Sequence, residues 1–419
     1  MYQSPLRYTV ALLVKLTLIL CISLSTAHAA INPLAKQVEM QLDCAGADDC
    51  FTNWDDLSTW ITGTRHPTET TPLSVDIGPG EFIDSDTAPG QWSTSMLLDC
   101  ATSPATGWIS FKGAGREITK LTGNLFVALW IRDCESLEFQ DLSVSGTLAQ
   151  AVGWLGAGSS TWTNVDFSGF DLAWSDYCDF GGSADAVAVV FVAGGGTGPV
   201  ENKSEHYYHN IKMKSGTFTS YCAINWIYAS DLAKEVSNDT RPAAINVNHQ
   251  GDIRLFGSTV RSWSDGSAFP VEGINIGSNG HFHMHGGIIN VDSTAGTGNA
   301  TAIKLENSGS LAHVIDTAFV VKSKPTAQTL RIDNPGLGKV MSPFLWQPGN
   351  DAPGVNLASE TGQDMFVEKD CDSSGDCSGS CSTNASEICQ PHIMVYSDAC
   401  TAVSGTPWFD STVNQCRQN

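Results

Sequence analysis

The sequence is poor in basic residues. Its 419 residues include 22 Lys and Arg against 44 Asp and Glu, which gives a formal net charge of −22 at pH 7. A surface with this excess of negative charge repels nucleic acids and anionic membranes. It also repels acidic polysaccharides unless cations bridge the contact. We therefore expect no nucleic-acid partner.

Several motifs with a defined chemistry are also absent. The sequence contains no Gly-rich phosphate loop, no nucleophile elbow and no reliable metal signature. Their absence argues against the common nucleotide-binding and α/β-hydrolase sites. After residue 29 no segment is apolar enough to cross a bilayer, so we expect no membrane span in the mature chain.

The N-terminal residues 1–29 have the pattern of a secretory signal peptide. Arg7 and Lys15 give a basic start, residues 10–24 are mostly apolar, and Ala-His-Ala at 27–29 is a small-x-small cleavage signal. The alternative is an uncleaved anchor, but Lys15 interrupts the apolar stretch and leaves it short for a transmembrane span. We expect a secreted product, extracellular or on the cell surface, with the periplasm as an alternative.

A repeat between residues 244 and 348 is the main indication of fold. Four segments align without gaps, namely AINVNHQG (244–251), GINIGSNG (273–280), AIKLENSG (302–309) and TLRIDNPG (329–336). Their apolar residues two apart point to one side of a strand, and the shared Gly marks a corner. Since no single coil buries its own apolar side, stacked coils form one continuous core. The repeat predicts an all-β, right-handed parallel β-helix solenoid.

The region before the repeat resembles a known superfamily. Residues 51–61 have apolar positions near helical spacing, and SVDIGPGEF (74–82) and WISFKGAGREITKLTG (108–123) follow. This order resembles the opening of pectin-lyase-like β-helix proteins, over roughly residues 50–350. The resemblance implies the fold and a short N-terminal capping helix. It does not imply one reaction, because similar proteins include polysaccharide lyases, glycoside hydrolases, sugar epimerases, phage tailspikes and adhesins.

We divide the chain accordingly into four parts. The signal peptide at 1–29 is followed by an N-terminal cap with the first strands at 30–122, the parallel β-helix at 123–350, and a Cys-rich, disulfide-stapled tail at 351–419. The tail is too small and too polar to build a core of its own without covalent links.

The cysteines fit an oxidising compartment. There are 13 in all, and because Cys21 lies in the signal peptide an even number remains. We expect Cys44 and Cys50 to close a small loop. Four further cysteines could pair between coils in a connectivity that the sequence leaves open: Cys100, Cys134, Cys178 and Cys222.

The tail also offers a possible calcium loop. Asp370, Asp372 and Asp376 would supply hard oxygen ligands, although the full twelve-residue loop pattern is missing. The alternatives are a disulfide-stapled cap without metal and zinc bound by the tail cysteines. Calcium is the one cofactor that the sequence suggests.

The register of the repeat places residues in surface columns. The third position of successive coils reads Trp130, Gly153, Ala188, Asn225, Asn246, Asn275, Lys304, Arg331. Because coils stack about 4.8 Å apart, Lys304 and Arg331 are expected to be neighbours. Glu306 and Asp333, from the fifth position, are expected beside them.

These four residues allow three interpretations. They can form a solvated surface with ion pairs. In a lyase, Lys304 or Arg331 would act as the base or as the cation that stabilises the enolate. In a hydrolase, Glu306 and Asp333 would act as acid and base. Hydrolysis is disfavoured, because the Asp-Asp and Gly-His-Gly signatures of polygalacturonase-type β-helix hydrolases are absent.

A second candidate site is the segment HFHMH at 281–285. If it is a strand, its three His share one side, and His283 lies next to Arg254 of the preceding coil. This pair could serve a lyase as base and carboxylate clamp. The alternatives are a solvated His set or a metal site, which three His along one strand would form with difficulty.

Tryptophans are the third indication of function. The chain has 12 of them, and aromatic faces stack on sugar rings, although large aromatics also fill solenoid interiors. We predict a secreted protein that binds or cleaves extracellular polysaccharide, with lyase chemistry favoured if it is an enzyme. The alternative is a non-catalytic surface or structural protein such as an adhesin. The sequence predicts no oligomeric state.

Overall fold

The computed structural model describes most of the chain up to residue 323 and, beyond it, only separate strands. The described ranges are 35–84, 94–100, 107–177, 204–237, 242–277, 279–306 and 310–323, followed by the backbone of the strands from residue 327 onward. The predicted signal peptide therefore lies outside the described residues.

Short strands make up almost all of the described structure. In chain order they are β1 (Lys36–Met40), β2 (Cys50–Phe51), β3 (Leu73–Ile77), β4 (Gly80–Asp84), β5 (Thr94–Asp99), β6 (Ile109–Gly113), β7 (Thr119–Gly123), β8 (Val127–Arg132), β9 (Ser136–Gln140), β10 (Ser143–Gly146), β11 (Gln150–Leu155), β12 (Ser159–Thr163), β13 (Asp166–Tyr177), β14 (Glu205–His209), β15 (Lys212–Ser220), β16 (Ile224–Tyr228), β17 (Asp231–Val236), β18 (Ala243–Val247), β19 (Asp252–Ser264), β20 (Val271–Ile276), β21 (His281–Asp292), β22 (Ala300–Leu305), β23 (Leu311–Lys322), β24 (Ala327–Ile332), β25 (Lys339–Met341), β26 (Phe344–Trp346), β27 (Val355–Asn356), β28 (Phe366–Lys369), β29 (Ile393–Tyr396), β30 (Pro407–Asp410) and β31 (Gln415–Gln418).

Strands β1 to β27 form a parallel β-helix. Strand β2 pairs in parallel with β1 alone. The other strands pair in parallel as three ladders, joined into one continuous sheet because long strands run from one ladder into the next. Ladder I contains β1, β3, β6, β9, β12, β14, β16, the first halves of β19, β21 and β23, and β25. Ladder II contains β4, β7, β10, the first halves of β13 and β15, β17, the second halves of β19, β21 and β23, and β26. Ladder III contains β5, β8, β11, the second halves of β13 and β15, β18, β20, β22, β24 and β27.

The predicted fold and the register of the four-fold repeat are confirmed. The repeat segments are the ladder III strands β18, β20, β22 and β24, in which Ile245, Ile274, Ile303 and Leu330 are paired in succession. The three isoleucines are buried in the interior. Each turn of the chain thus adds one strand to each ladder, and the topology is a right-handed parallel β-helix.

One part of the predicted column is wrong. That column takes Asn225, from residues 223–227, as the direct neighbour of Asn246. Strand β16 instead lies in ladder I, where Asn225 pairs with His206 and Ile253 and is buried. The ladder III column carries Thr219 beside Asn246. Strands of different ladders share the same apolar alternation, so the pattern alone does not distinguish them.

A short helix closes the N-terminal end of the core, as predicted. Helix α1 (Trp54–Trp60) begins at Asn53, whose side chain accepts a hydrogen bond from the backbone N–H of Asp56. One turn of π-type helix (Ile61–Arg65) continues it. The indole of Trp54 stacks on Phe111 at 5.3 Å between ring centroids. The helix therefore covers the first interior ring of the solenoid.

Aromatic rings fill the interior of ladder I. Phe111 stacks on Phe139 at 4.8 Å, and Phe139 stacks on Trp162 at 4.1 Å between ring centroids. Further along, the interior is polar: His206 is fully buried, and its Nδ1 lies 2.7 Å from Ser160 Oγ. The core is thus a stack of rings that meets a buried polar group in the middle of the solenoid.

Disulfide bonds support part of the predicted cysteine pairing. Cys44 is bonded to Cys50, and Cys100 to Cys134, which joins the ends of β5 and β8 in adjacent coils. Cys222 is also disulfide-bonded. In the tail, β28 pairs with β29 and β30 with β31, both antiparallel. Within the described ranges, no helix has the length and apolar character needed to span a membrane.

Candidate functional site

The outer side of ladder I carries an unusual set of rings between β14 and β23. Two columns run across these strands, and we call them together the aromatic face. The first column contains Tyr207, Trp226, Arg254, His283 and His313, and the second contains His209, Tyr228, Phe256 and His285. All are partly exposed or exposed, because their neighbours in sequence fill the interior.

The rings of the second column stack on one another. His209 lies 5.0 Å from Tyr228, Tyr228 lies 5.0 Å from Phe256, and Phe256 lies 5.5 Å from His285, as measured between ring centroids. At these distances nearly parallel rings overlap, so their faces are covered by their neighbours. The column therefore presents ring edges and polar ring atoms to solvent.

The first column combines rings with charges. The Arg254 guanidinium lies 4.4 Å from the ring centroid of Trp226. Two nitrogens of Arg254 also donate to Asp252, with Nη2 2.6 Å from Oδ2 and Nε 3.1 Å from Oδ1. The indole Nε1 of Trp226 donates to Glu205 Oε1 at 2.8 Å. Arg254 is thus held by two independent contacts, which fix its position on the aromatic face.

His283 lies beside this arginine, as the sequence predicts. Register pairs Arg254 with His283 and His283 with His313. Nε2 of His283 is 3.8 Å from Asp252 Oδ1, and its ring is 5.6 Å from that of His313 between centroids. The arrangement places an imidazole, a guanidinium and a carboxylate side by side.

Burial keeps His283 neutral at neutral pH. It lowers the pKa of His283, and the positive charge of Arg254 and the neighbouring His313 and His281 act in the same direction, against the attraction of Asp252. Burial likewise lowers the pKa of His313. An unprotonated imidazole can accept a proton, which is the property that a general base requires.

Tyr207 is held as a neutral hydrogen-bonding group. Burial and its hydrogen bond to Glu205 raise the pKa of Tyr207 to about 12. Burial also raises the pKa of Tyr228. Both phenols therefore remain protonated over the physiological range, so they can donate and accept hydrogen bonds but cannot serve as anionic nucleophiles.

Lys304 and Glu306 lie elsewhere, on ladder III. Lys304 Nζ is 2.7 Å from Glu306 Oε1 and 3.2 Å from Glu272 Oε1. Asn275 Nδ2 donates to both carboxylates, at 2.9 Å to Glu306 and 3.2 Å to Glu272. We call these four residues the Lys304 cluster. Glu272 is the member that the sequence did not reveal, because it follows an apolar residue inside a buried strand.

In this cluster Lys304 is a cation rather than a base. Burial opposes the charge of Lys304, but its ion pairs with Glu272 and Glu306 outweigh that effect and raise its pKa. Burial raises the pKa of Glu272, partly offset by Lys304. A lysine with a raised pKa stays protonated at neutral pH and cannot accept a proton.

The predicted site residues therefore divide into two groups. Arg254 and His283 belong to ladder I, while Lys304 and Glu306 belong to ladder III. Arg331 is paired with Lys304 along the backbone, as predicted, but its side chain is outside the described part. Asp333 and the proposed calcium ligands Asp370, Asp372 and Asp376 also lie outside the described residues. The described residues contain no group of three or more His, Cys, Asp or Glu arranged to hold a metal ion.

The structure separates the tryptophans by position. Trp154, Trp162 and Trp174 are fully buried, and Trp130 packs with Tyr177 in a small cluster on the outer side of ladder III. Trp226, by contrast, lies on the aromatic face. The sequence had already pointed to the His rings of HFHMH, but the rings on the neighbouring strands were missed. EHYYH, INWIY and DIRLF align with HFHMH once β14, β16, β19 and β21 are placed in one ladder.

Comparison with known proteins finds likeness only in structure. No family profile and no curated protein sequence matches the chain. The pectin methylesterase from carrot is similar at 10% identity, with a TM-score of 0.44 over 79% of this chain and 88% of that one. Pectin methylesterase PemA from Erwinia chrysanthemi has 10% identity and a TM-score of 0.36, over 79% and 92% of the two chains.

A third similar structure is an epimerase module. The mannuronan C-5 epimerase AlgE4 A-module of Azotobacter vinelandii has 11% identity and a TM-score of 0.23, over 73% of this chain and 96% of that one. At such identities and TM-scores these likenesses support no conclusion about activity or superfamily. The three parallel ladders themselves show the parallel β-helix, which is the fold predicted from the sequence.

Proposed function

We propose that the protein is an exported polysaccharide-binding protein and that the aromatic face is its binding surface. The observation that carries the proposal is the combination of partly exposed rings with fixed polar groups across consecutive coils. Trp226, Tyr228 and Phe256 offer apolar edges, while Glu205 and Arg254 offer hydrogen bonds at fixed positions. Sites that bind small polar ligands combine apolar surface with a few oriented polar groups in the same way.

The shape of the face suits a polymer better than a small ligand. The two columns follow the axis of the solenoid, and each strand adds one residue to each column. A chain-like ligand lying along the axis would meet one pair of side chains at every coil, with successive pairs about 4.8 Å apart. Many weak contacts of this kind add up along a polymer.

Export is supported by the disulfide bonds. The bonds Cys44–Cys50 and Cys100–Cys134 are typical of an oxidising compartment, and they agree with the predicted signal peptide. An extracellular location would bring the aromatic face into contact with cell-wall or matrix polysaccharides.

A second candidate function is β-elimination, carried by His283 beside Arg254. In that reaction His283 would take the proton next to a uronate carboxylate, the glycosidic C–O bond would break, and a C=C bond would form as the leaving oxygen is protonated. Arg254 would offset the charge of the enolate, as a lyase requires. The neutral state of His283 supports this role.

The binding proposal predicts that Trp226→Ala weakens binding at least about tenfold, because it removes a ring and the support of Arg254. The measurement is affinity electrophoresis through gels that contain neutral or uronate polysaccharides. Trp263→Ala is the matched control, because Trp263 is partly exposed on ladder II and donates to Glu235 there. Absence of binding to the whole panel would instead support a non-catalytic structural protein or adhesin.

The lyase proposal predicts absorbance from unsaturated uronate products, and a loss of at least about 100-fold in rate for His283→Ala. His281→Ala, on the same side of the same strand, should retain the rate. Since the base must be neutral, activity should be lost as the pH falls through the lowered pKa of His283, below 6.5. No product from any uronate polymer, or equal rates in both variants, would exclude this reaction at His283.

A further inference from the structure

A groove of about 550 Å³ opens at the corner where ladder I passes into ladder II. At the same corner in the preceding coils, Asp141, Asn164 and Asn210 have a left-handed backbone conformation. Hydrogen bonds join their side chains to one another. The next corners are Ala229 and Gly257, also with positive φ but without such side chains. An added Cβ at Gly257 would meet no atom within 4 Å. The groove exists because the row of polar corner side chains ends there.

The lining of this groove, which we call the corner groove, is basic. Among the described residues that line it are three cations, Arg116, Lys212 and Arg261, and one acid, Asp231. This is notable in a chain with a net charge of −22. Three cations around one depression form a local positive potential that attracts anions, whereas the rest of this acidic surface repels them.

The acids near the groove are already paired. Asp231 binds Arg261, with Arg261 Nε 3.0 Å from Asp231 Oδ1. Asp166 is buried, and Lys214 Nζ lies 2.7 Å from its Oδ2. Within the part of the chain that the structure describes, Lys212 makes no ion pair at 4.0 Å or less. Lys212 therefore brings a positive charge that its described neighbours do not neutralise by contact.

Arg116 extends the groove from a distant turn. It follows β6 in sequence, yet its Nη1 lies 3.4 Å from the carbonyl oxygen of Asn210 and 3.6 Å from Asp166 Oδ1. These contacts hold the guanidinium at the rim while leaving other N–H groups without a described partner. Arginine presents several donors in a plane, a geometry that matches the oxygens of carboxylate, sulfate and phosphate groups.

We propose that the corner groove is an oxyanion-binding site, in which Lys212 and Arg116 contact the ligand and Arg261, oriented by Asp231, completes the basic wall. The ligand chemistry is a sulfate, phosphate or carboxylate group, either as a free ion or as a substituent of a saccharide. The site does not depend on the proposed function of the aromatic face, although Tyr228 and Phe256 directly precede Ala229 and Gly257 and so border it.

The test is equilibrium dialysis of the full-length protein with labelled sulfate at constant ionic strength set by chloride. We expect saturable binding with a dissociation constant in the millimolar range and a loss of at least about tenfold in Lys212→Met, which keeps the side-chain stem. Lys120→Met is the matched control, since Lys120 is an exposed lysine of ladder II outside the groove. Arg116→Gln should lower the affinity as well.

A second arm distinguishes the source of the oxyanion. A sulfated oligosaccharide that binds at least tenfold more tightly than free sulfate would identify a saccharide substituent, and equal affinities would identify the free ion. In either case the proposal requires that Lys212→Met weakens the binding. No saturable binding of sulfate, phosphate or acetate, or an equal loss in Lys120→Met and Lys212→Met, would overturn it. Because Trp226→Ala should leave sulfate binding intact, failure here is distinguishable from failure of the aromatic face.

Discussion

Acidification from pH 7 to pH 4 is expected to destabilise the folded solenoid by about 3 kcal/mol through His206 alone. His206 is fully buried, and its two ring nitrogens contact Ser160 Oγ at 2.7 Å and Ser204 Oγ at 3.1 Å. The rings of Trp154 and Trp174 pack edge-on against it. Burial lowers the pKa of His206 from 6.5 to about 3.

The sign follows from the two pKa values of this imidazole. Between pH 6.5 and 3 the unfolded chain binds a proton at His206 that the folded chain does not bind. The stability is therefore complete above pH 6.5 and falls by about 1.4 kcal/mol per pH unit below it, down to the folded pKa.

Urea unfolding at a series of pH values measures this effect, and the comparison is with His206→Gln. The variant loses one titrating group, so its stability should depend less steeply on pH by up to one proton between pH 6 and 4. The slope is the readout, because the substitution also changes the stability at pH 7. If the variant does not fold, the NMR signals of the His206 imidazole in the wild-type protein give the alternative readout. At pH 5 they should be those of the neutral ring. Identical slopes, or a protonated ring at pH 5, would contradict the prediction.

Trp162→Ala is expected to lower the free energy of unfolding by about 3–5 kcal/mol. Trp162 is fully buried, stacks on Phe139 at 4.1 Å and contacts Trp174 edge-on at 5.4 Å between ring centroids. Its Nε1 donates to Ser160 Oγ at 2.7 Å. Removal leaves a large cavity at the centre of the ring stack, which the neighbouring coils cannot close because their strands are fixed by the ladder.

Equilibrium unfolding in guanidinium gives the measurement, with Trp263→Ala as control. Trp263 is partly exposed, so its loss should cost no more than about 1 kcal/mol. Since Ser160 contacts both Trp162 and His206, the effects of Trp162→Ala and His206→Gln should not be additive. A loss below about 1 kcal/mol for Trp162→Ala would show that the ring stack does not support the coils.

The repeat was sufficient to predict the architecture. The apolar positions two apart and the shared Gly place Ile245, Ile274 and Ile303 in one register, and the structure has that register. The same alignment correctly placed Lys304 next to Arg331 and Arg254 next to His283. Such neighbours are predictable because a parallel ladder with a buried side tolerates no shift by one residue.

Other features were not predictable, since strand alternation does not say which ladder a strand joins. Residues 223–227 were therefore placed in the wrong ladder, and the columns that contain Tyr228 and Phe256 were not recognised. Alternation also does not reveal polar groups inside the core: His206 occupies an interior position that the pattern would give to an apolar residue. Glu272, which pairs with Lys304 from within the buried strand β20, was also not identified from the sequence.

The separation of the two candidate sites follows from the same geometry. Within a ladder, register determines which residues meet, and this is readable from the repeat. Between ladders, proximity depends on the corners, whose lengths vary along the chain. The structure, and not the sequence, therefore shows that Arg254 and Lys304 lie on different surfaces. The two residues do not form a single catalytic site.

Hydroxyl-radical footprinting with and without a bound polysaccharide tests the central proposal most directly. We expect oxidation of Tyr207, Trp226 and Tyr228 to fall several-fold in the complex, because the ligand covers the aromatic face. Trp108 and Phe170, which are 40% and 68% exposed on other parts of the surface, should react as before. Unchanged oxidation of the three face residues, or protection confined to Trp108 and Phe170, would contradict the assignment of the aromatic face as the polysaccharide-binding surface.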